Sequence, residues 1–227
     1  MKVLIAEDHA IVREGLRRVV AERAPDLEIA EAGSCAQALA ALADRAITLI
    51  LLDLGLPDAS DIDALERIRA AAPDLPVIVF SADDGADRVL RCIEAGARCF
   101  VPKSADTETF GAALGAVLAG AVWVPETTIA AQARDLAAES VAGFRARMSE
   151  AVATLTPRQR EVLHLIIDGL SNKGIGRALS ISPETAKIHV SGVLKALGVP
   201  NRARAIVAAS AAGLQLPARL SPAASTL

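Results

Sequence analysis

Short apolar segments recur through the first half of the chain, separated by stretches whose apolar residues repeat with helical spacing. The apolar segments cover residues 2–7, 47–53, 77–80 and 98–102, and a short second strand is predicted near 28–31. Runs of about four to eight apolar residues bounded by turn signals are typical of strands buried on both faces. The helical stretches cover about 11–23, 35–44, 61–72, 88–95 and 106–118. Five strands alternating with five helices predict an α/β fold with a five-stranded, doubly wound parallel sheet.

Polar residues follow four of the predicted strands directly. They are Glu7 and Asp8 after the first strand, Asp53 at the end of the third, Ser81 after the fourth and Lys103 after the fifth. Ligands of an open parallel sheet bind beyond the carboxyl ends of its strands, so these side chains are expected to meet in one crevice. Carboxylates that close need a counter-cation, and oxygen-ligated Mg²⁺ is the natural partner. Together with a hydroxyl and an ammonium, they suit the acceptance of a phosphoryl group.

The last third of the chain carries helix start signals and helical spacing. Thr156, Pro157 and Gln159 predict a capping box with proline at the first helical position. Helices are expected over 156–168, 172–179, 182–198 and 201–212. The second and third are joined by a tight turn, and the third carries Lys187, His189 and Lys195. This pattern predicts a small all-α domain with a helix-turn-helix, whose recognition helix enters the major groove of DNA.

Composition and charge fit two domains with different partners. With 227 residues, the chain has room for two domains of ordinary size. Residues 1–120 carry 12 Lys or Arg and 20 Asp or Glu, a net charge of −8, whereas residues 151–227 carry 9 and 3, a net charge of +6. Such asymmetry is expected when one part handles a metal or phosphate and the other meets nucleic acid. Two solvated surfaces of opposite sign would show the same split.

Cysteine usage and hydropathy favour a cytoplasmic location. Cys35, Cys92 and Cys99 are odd in number and form no C-x-x-C pair, which predicts buried, reduced thiols. No apolar stretch approaches the ~18 residues that span a bilayer. The first strand begins without a signal-peptide pattern, so no membrane association is expected.

Residues 1–120 resemble the receiver domain of bacterial two-component response regulators, which has a flavodoxin-like fold. The resemblance implies a Mg²⁺ cofactor held by Glu7, Asp8, Asp53 and the backbone carbonyl of Gly55. It implies that Asp53 accepts phosphate from a sensor histidine kinase, that Ser81 and Lys103 contact the phosphoryl group, and that Phe100 is the switch aromatic. His9, beside the acidic pair, has no assigned role. Asp61 stands where the family usually has Gly, and Asp tolerates left-handed dihedral angles better than most residues.

Residues 151–213 resemble the LuxR-type DNA-binding domain, and the whole chain resembles a NarL/FixJ-type response regulator. The resemblance implies that Lys187, Ile188 and Ser191 face base edges, and that the DNA phosphates are contacted by Lys173, Thr185, His189, Lys195 and Arg202. Lys187 can donate to guanine, and Ile188 can contact a thymine methyl group. Gly174 and Gly176 lie in the scaffold helix where better helix formers are usual.

The predicted organisation is a receiver over 1–120, a partly helical linker over 121–150, the DNA-binding domain over 151–213 and a C-terminal tail over 214–227. The expected function is transcriptional control rather than enzymatic catalysis. Phosphorylation of Asp53 is expected to gate dimerisation and sequence-specific binding to double-stranded DNA. A homodimer is expected in the phosphorylated state, and RNA polymerase is a further candidate partner.

Three other functions are alternatives to this one. Aspartate-based phosphatases carry a D-x-D pattern, whose second Asp acts as general acid. Position 55, two residues after Asp53, is Gly, so that acid is missing here. The other two are a regulator that works without phosphorylation and a module that binds only proteins. A protein-only module would bind no DNA specifically at any ionic strength.

Overall fold

One parallel sheet organises the first half of the protein. A computed structural model describes residues 1–137 and 140–214. The strands are β1 (Lys2–Ala6), β2 (Glu28–Ala32), β3 (Ile47–Asp53), β4 (Val77–Ser81) and β5 (Cys99–Pro102). Their spatial order is β2-β1-β3-β4-β5, which confirms the predicted doubly wound parallel sheet. The order reverses at β1 and β3, where such a sheet forms its ligand crevice.

Five helices cover the two faces of the sheet. They are α1 (Ala10–Arg23), α2 (Cys35–Ala41), α3 (Asp63–Ala71), α4 (Ala86–Glu94) and α5 (Thr107–Leu118). Side chains alternate along each strand, so Val3 and Ile5 pack in the cluster beneath α1 and α5, while Leu4 and Ala6 pack in the cluster beneath α2, α3 and α4. Both faces are therefore dry, as continuous apolar strands require.

Two predicted helices are shorter than expected, for local reasons. Helix α2 ends at Ala41, because residues 42–44 form i→i+3 turns. Helix α3 begins at Asp63, because Asp61 has a left-handed backbone with φ +49°. Gly96 follows α4 with φ +101°, the left-handed conformation predicted for this helix stop.

Six further helices form the second half of the described chain. They are α6 (Glu126–Ala137), α7 (Val141–Ala153), α8 (Pro157–Ile167), α9 (Asn172–Leu179), α10 (Pro183–Leu197) and α11 (Arg202–Ala211). The predicted linker thus contains α6 and most of α7. The capping box of Thr156 and Gln159 is present at the start of α8. Residues 215–227 of the predicted tail lie outside the described residues.

The two halves pack against each other around α4. Helix α11 contacts α4, α6, α7 and α8, and one apolar cluster runs from beneath α4 into the helical half. Arg98 forms an ion pair with Asp168 at the end of α8, and both side chains are mostly buried. The Arg69 side chain lies close to both Gly96 and Gly169, one glycine from each half. Gln132 on α6 donates a 2.9 Å hydrogen bond to the carbonyl of Arg204 on α11.

The three cysteines agree with the sequence prediction of buried thiols. Cys35, Cys92 and Cys99 are free and buried. Burial raises the pKa of the Cys92 thiol to about 11 and raises that of Cys99 well above its usual value. Among the residues that the structure describes, no helix is both long and apolar enough to cross a membrane.

Candidate functional site: an acidic crevice and an exposed helix

The carboxyl ends of the strands bring the predicted acidic residues together. Asp53 closes β3 and pairs in register with Phe80 of β4. Oxygen or nitrogen ligand atoms of Glu7, Asp8, His9 and Asp53 all lie within 4.8 Å of one another. Glu7 is fully buried and Asp53 is 4% exposed, so two of the carboxylates are almost removed from water. Their charges need compensation at this depth.

Lys103 supplies that compensation. Its backbone N–H donates to the carbonyl of Ser81, which fixes the segment after β5 beside the end of β4. Its Nζ lies 2.8 Å from Glu7 Oε2 and 2.9 Å from Asp53 Oδ2. Burial of the ammonium alone would lower its pKa, but hydrogen bonds and charges from Glu7 and Asp53 outweigh this, and the pKa is raised. The ammonium therefore stays charged between two carboxylates.

A second set of predicted residues lies on the exposed side of α10. Ile188 is 72% exposed, which is unusual for a large apolar side chain in a packed domain. Lys187 and Ser191 are also exposed. The side of α10 that carries the predicted base-reading residues thus faces solvent, although α11 is docked against α4.

Comparison with known proteins identifies the family of each half. Residues 3–114 match the family described as response regulator receiver domain, and residues 153–209 match bacterial regulatory proteins of the luxR family. The glycerol metabolism activator of Pseudomonas putida is 35% identical over 212 residues, which cover 92% of this chain and 94% of that protein. The chain belongs to the NarL/FixJ-type response regulators. This is a family of transcription regulators, not of enzymes.

Other relatives and solved structures are similar along most of the response regulator. The nitrate/nitrite response regulator protein NarL of Escherichia coli K12 is 31% identical over 206 residues, covering 90% of this chain and 93% of that protein. The structure of an RcsB–DNA complex covers 93% of this chain and 98% of its own, with TM-score 0.52 and 22% identity. At that identity, the likeness concerns the fold. A LuxR-family response regulator from Aurantimonas has TM-score 0.52 and 30% identity, over 56% of this chain and 91% of its own.

The acidic crevice of this response regulator has the donor set that Mg²⁺ prefers. Glu7, Asp8 and Asp53 offer carboxylate oxygens that lie within 4.8 Å of one another. The contribution of the Gly55 carbonyl, two residues after Asp53, stays a prediction. A hard cation of this size takes oxygen ligands and keeps several waters, so a partly open crevice suits it. Glycine at position 55 leaves the space beside the Asp53 carboxylate free of a side chain, because a Cβ there would lie 3.1 Å from Asp53 Oδ2. The residues present therefore fit the metal.

The predicted switch residues lie around the crevice and beneath α4. Ser81 is 5% exposed at the end of β4. Phe100 is fully buried and belongs to the same apolar cluster as Val89 and Ile93 of α4. Its backbone N–H donates to the carbonyl of Trp123, 3.3 Å away, where the chain leaves the sheet. The Phe100 side chain thus lies on the face of the sheet that is covered by α4, the helix that α11 contacts.

Two residues at the crevice carry no sequence prediction of a role. His9 Nδ1 lies 3.0 Å from Glu7 Oε1 and 2.8 Å from Asp8 Oδ1. The hydrogen bond that the imidazole donates to Glu7, together with the charges of both acids, raises the pKa of this exposed side chain. Arg13 Nη1 donates to the carbonyl of Glu7 at 2.6 Å, and its Nε donates to Glu31 at 2.9 Å. His9 has a sequence signal, its place beside the acidic pair. Arg13 has none, because its partners are separated from it along the chain.

The predicted phosphate-contacting residues of the DNA-binding half divide into three kinds. Lys173 and Lys195 are exposed, and His189 is half-buried. Thr185 lies in the first turn of α10, where its backbone N–H donates to the cap Ser182. Arg202 is largely occupied within the domain, since it donates to the Leu170 carbonyl at 2.5 Å and to Asn172. Its DNA contact, like the others, stays a prediction.

Proposed function

We propose that this response regulator changes its DNA binding when Asp53 is phosphorylated. The observation that supports this best is the position of Lys103, whose ammonium lies 2.8 Å from Glu7 and 2.9 Å from Asp53. A carboxylate nucleophile with acidic metal ligands and a fixed cation is the arrangement that phosphoryl transfer needs. The proposed phosphoryl donor is a sensor histidine kinase.

The proposed transfer uses few protein groups. One carboxylate oxygen of Asp53 bonds to phosphorus while the phosphorus–nitrogen bond of the donor breaks, and the electron pair stays on the donor imidazole, which takes up a proton. Glu7, Asp8, Asp53 and the Gly55 carbonyl are the residues that would hold Mg²⁺, which neutralises charge on the phosphoryl oxygens when bound. Lys103 then moves from the two carboxylates toward the new phosphoryl oxygens, and the Ser81 hydroxyl donates to them.

The proposed signal passes from the crevice to α4. A phosphoryl group adds about −1.5 to −2 charge, so Ser81 and Lys103 are drawn toward it. Phe100 lies three residues before Lys103 and packs with α4 in one cluster. Movement at the ends of β4 and β5 therefore alters the packing of α4, the helix that α11 contacts.

Docking in this structure leaves the predicted DNA-reading side of α10 exposed, so the proposed gate is not coverage of that side. Helix α11 is instead largely buried between α4 and the helices of the second half. Release of α11 is proposed to free the DNA-binding half to pair with that of a second copy. A dimer would read two half-sites on double-stranded DNA. RNA polymerase is a further candidate partner of the bound dimer.

Radiolabelled acetyl phosphate with Mg²⁺ tests the first half of the proposal. The wild-type chain should take up label, and Asp53→Asn should take up none, because the amide is not a nucleophile. Asp26→Asn, an exposed acid on another loop, is the matched control and should be labelled like the wild type. Equal labelling of the wild type and Asp53→Asn would show that phosphate is held elsewhere.

Mapping of bound genomic DNA with both chains tests the second half. Phosphorylation should raise the affinity of the wild type for the selected fragments by about tenfold or more, within the range of ordinary allosteric coupling. Asp53→Asn should show no such rise. Equal affinity of the phosphorylated and unphosphorylated wild type would identify a regulator that works without phosphate, and failure to bind any fragment specifically would identify a protein-binding module.

A further inference from the structure

Asp61, on the loop between β3 and α3, holds two arginines of α4. Arg88 Nη1 lies 2.5 Å from Asp61 Oδ1, and Arg91 Nη1 lies 2.8 Å from Asp61 Oδ2. Each carboxylate oxygen therefore meets one guanidinium. The backbone of Asp61 is left-handed, a conformation that Asp tolerates better than most residues but that costs less for glycine. A strained backbone is retained here together with a contact that glycine would not make.

The loop that carries Asp61 begins at the phosphoacceptor and is anchored along its length. Leu54 and Leu56 are buried in the core. The carboxylate of Asp58 accepts hydrogen bonds from the backbone N–H groups of Cys35 and Ala36 at 2.7 and 2.8 Å, which fixes the loop to the start of α2. The loop between Asp53 and Asp61 is therefore held at several points.

Helix α4 depends on its neighbours for its position. It has nine residues, and no side chain caps its N-terminus at Gly85. Helices this short are not stable by themselves, so packing fixes them. Arg88 is only 18% exposed, and Asp61 is its nearest carboxylate, since Asp83 is 3.7 Å from Nε. Removal of Asp61 would leave this partly buried guanidinium with only the more distant and more exposed carboxylate of Asp83 as a counter-charge.

We propose that Asp61 holds α4 in the position that receives α11, and so gives the phosphoacceptor loop a second route to the DNA-binding half. This route runs through the β3–α3 loop and the ion pairs of Asp61, and is separate from the route through Ser81 and Phe100. Its regulatory role rests on the proposed function. Its structural part does not, because the same ion pairs hold α4 in the unphosphorylated protein.

Amide hydrogen exchange of the full chain tests the structural part without any phosphoryl donor. Asp61→Asn and Asp61→Gly should each speed exchange in α4 and α11 by about three- to tenfold, because both remove the carboxylate. The glycine variant also relieves the backbone strain, so it separates strain from charge. Asp63→Asn is the matched control: it breaks the exposed pair with Arg67, 3.5 Å away on α3, and should leave exchange in α4 and α11 unchanged.

Two comparisons decide the matter. The ion pairs of Asp61 with Arg88 and Arg91 form the proposed bridge to α4. If the bridge holds α4, adding Arg91→Gln to Asp61→Asn should change the exchange rates little further. Effects of the two substitutions that simply add would overturn the bridge. Wild-type exchange in Asp61→Gly would also overturn it, because strain alone would then explain the asparagine variant. With acetyl phosphate, the bridge predicts a smaller change of α11 exchange in Asp61→Asn than in the wild type. A wild type with no phosphate response would refute the proposed function while the unphosphorylated comparison still tests the bridge.

Discussion

Lys103 sets the charge balance of the crevice. Its ammonium contacts a fully buried carboxylate, Glu7, and a nearly buried one, Asp53. A carboxylate at this depth without a cation is costly, so the fold of the crevice depends on this side chain when no divalent cation is bound. Lys103 and a divalent cation also serve the same two carboxylates. Each is therefore expected to weaken the binding of the other.

Replacement of Lys103 tests this balance. In the presence of EDTA, Lys103→Gln should lower the free energy of unfolding by about 2 kcal/mol or more, because Glu7 and Asp53 lose their counter-charge. Excess Mg²⁺ should recover part of the loss, and the affinity for Mg²⁺ should rise. Urea unfolding and titration calorimetry measure the two quantities. Lys2→Gln, which breaks exposed pairs with Asp44 and Glu28, should change the free energy of unfolding little, and by the same amount with or without Mg²⁺.

The crevice could be predicted at the residue scale where chemistry follows the strand pattern. Asp53, Glu7 and Lys103 come directly after buried runs, and parallel strands place such ends at one edge. The contacts of Arg13 with the Glu7 carbonyl and with Glu31 could not be predicted, because an arginine on an amphipathic helix has the same sequence pattern whether it is solvated or paired.

A loss of unfolding free energy in Lys103→Gln that is about equal with and without Mg²⁺ would mean that the ammonium is only a structural partner.

Helix α9 shows how an element can contradict its own propensity. Gly176 is unfavourable in a helix interior by roughly 1 kcal/mol, yet it lies buried in α9. A Cβ at this position would lie 2.8 Å from the carbonyl oxygen of Ile181 and 3.3 Å from the nitrogen of Pro183. Glycine therefore allows the tight approach between α9 and the turn that leads to α10. The predicted helix-turn-helix depends on this approach.

Alanine substitutions should separate the two effects. Gly176→Ala should lower the free energy of unfolding by about 1–3 kcal/mol, because overpacking against the turn outweighs the better helix propensity. Gly192→Ala in α10 should raise it by up to about 1 kcal/mol, since the nearest atom to its Cβ would be 3.9 Å away. Thermal unfolding of the full chain measures both. Equal and positive changes would show that the turn moves aside.

The existence of every strand and of most helices follows from periodicity, but several ends do not. Helix α3 starts two residues later than predicted, because the left-handed backbone of Asp61 serves the contact with α4. Such an end is set by a neighbour that is distant along the chain. Propensity describes only the residue itself, so it places the end where local preference changes.

At the scale of the whole molecule, the packing of the two halves has no signal in the sequence. Arg98 and Asp168 are separated by 70 positions, and each lies in a half whose own pattern of apolar residues is complete. The opposite net charges of the halves predict different partners for them, but they do not predict this ion pair. Only folding of both halves places α11 against α4.

Breaking this ion pair should loosen the docked arrangement. Asp168→Asn should weaken docking by about 2 kcal/mol, because it leaves the mostly buried guanidinium of Arg98 without this carboxylate. Arg98→Gln should weaken docking by less, because Arg69 also acts on the charge of Asp168. Small-angle X-ray scattering should show a larger radius of gyration for both variants. The exchanged pair Arg98→Asp with Asp168→Arg should restore much of the compactness. A radius unchanged in all three variants would mean that apolar packing alone holds the halves together.

The apolar cluster that continues from beneath α4 into α6 and α11 also limits how this protein can be recombined. A chimera that joined its receiver to another DNA-binding domain would expose the apolar residues around Leu90 to solvent, unless the new domain had an apolar surface that packs against them. A substitution on this side of α4 is then expected to need a complementary substitution on α11. In this protein the receiver and its output are matched parts rather than exchangeable ones.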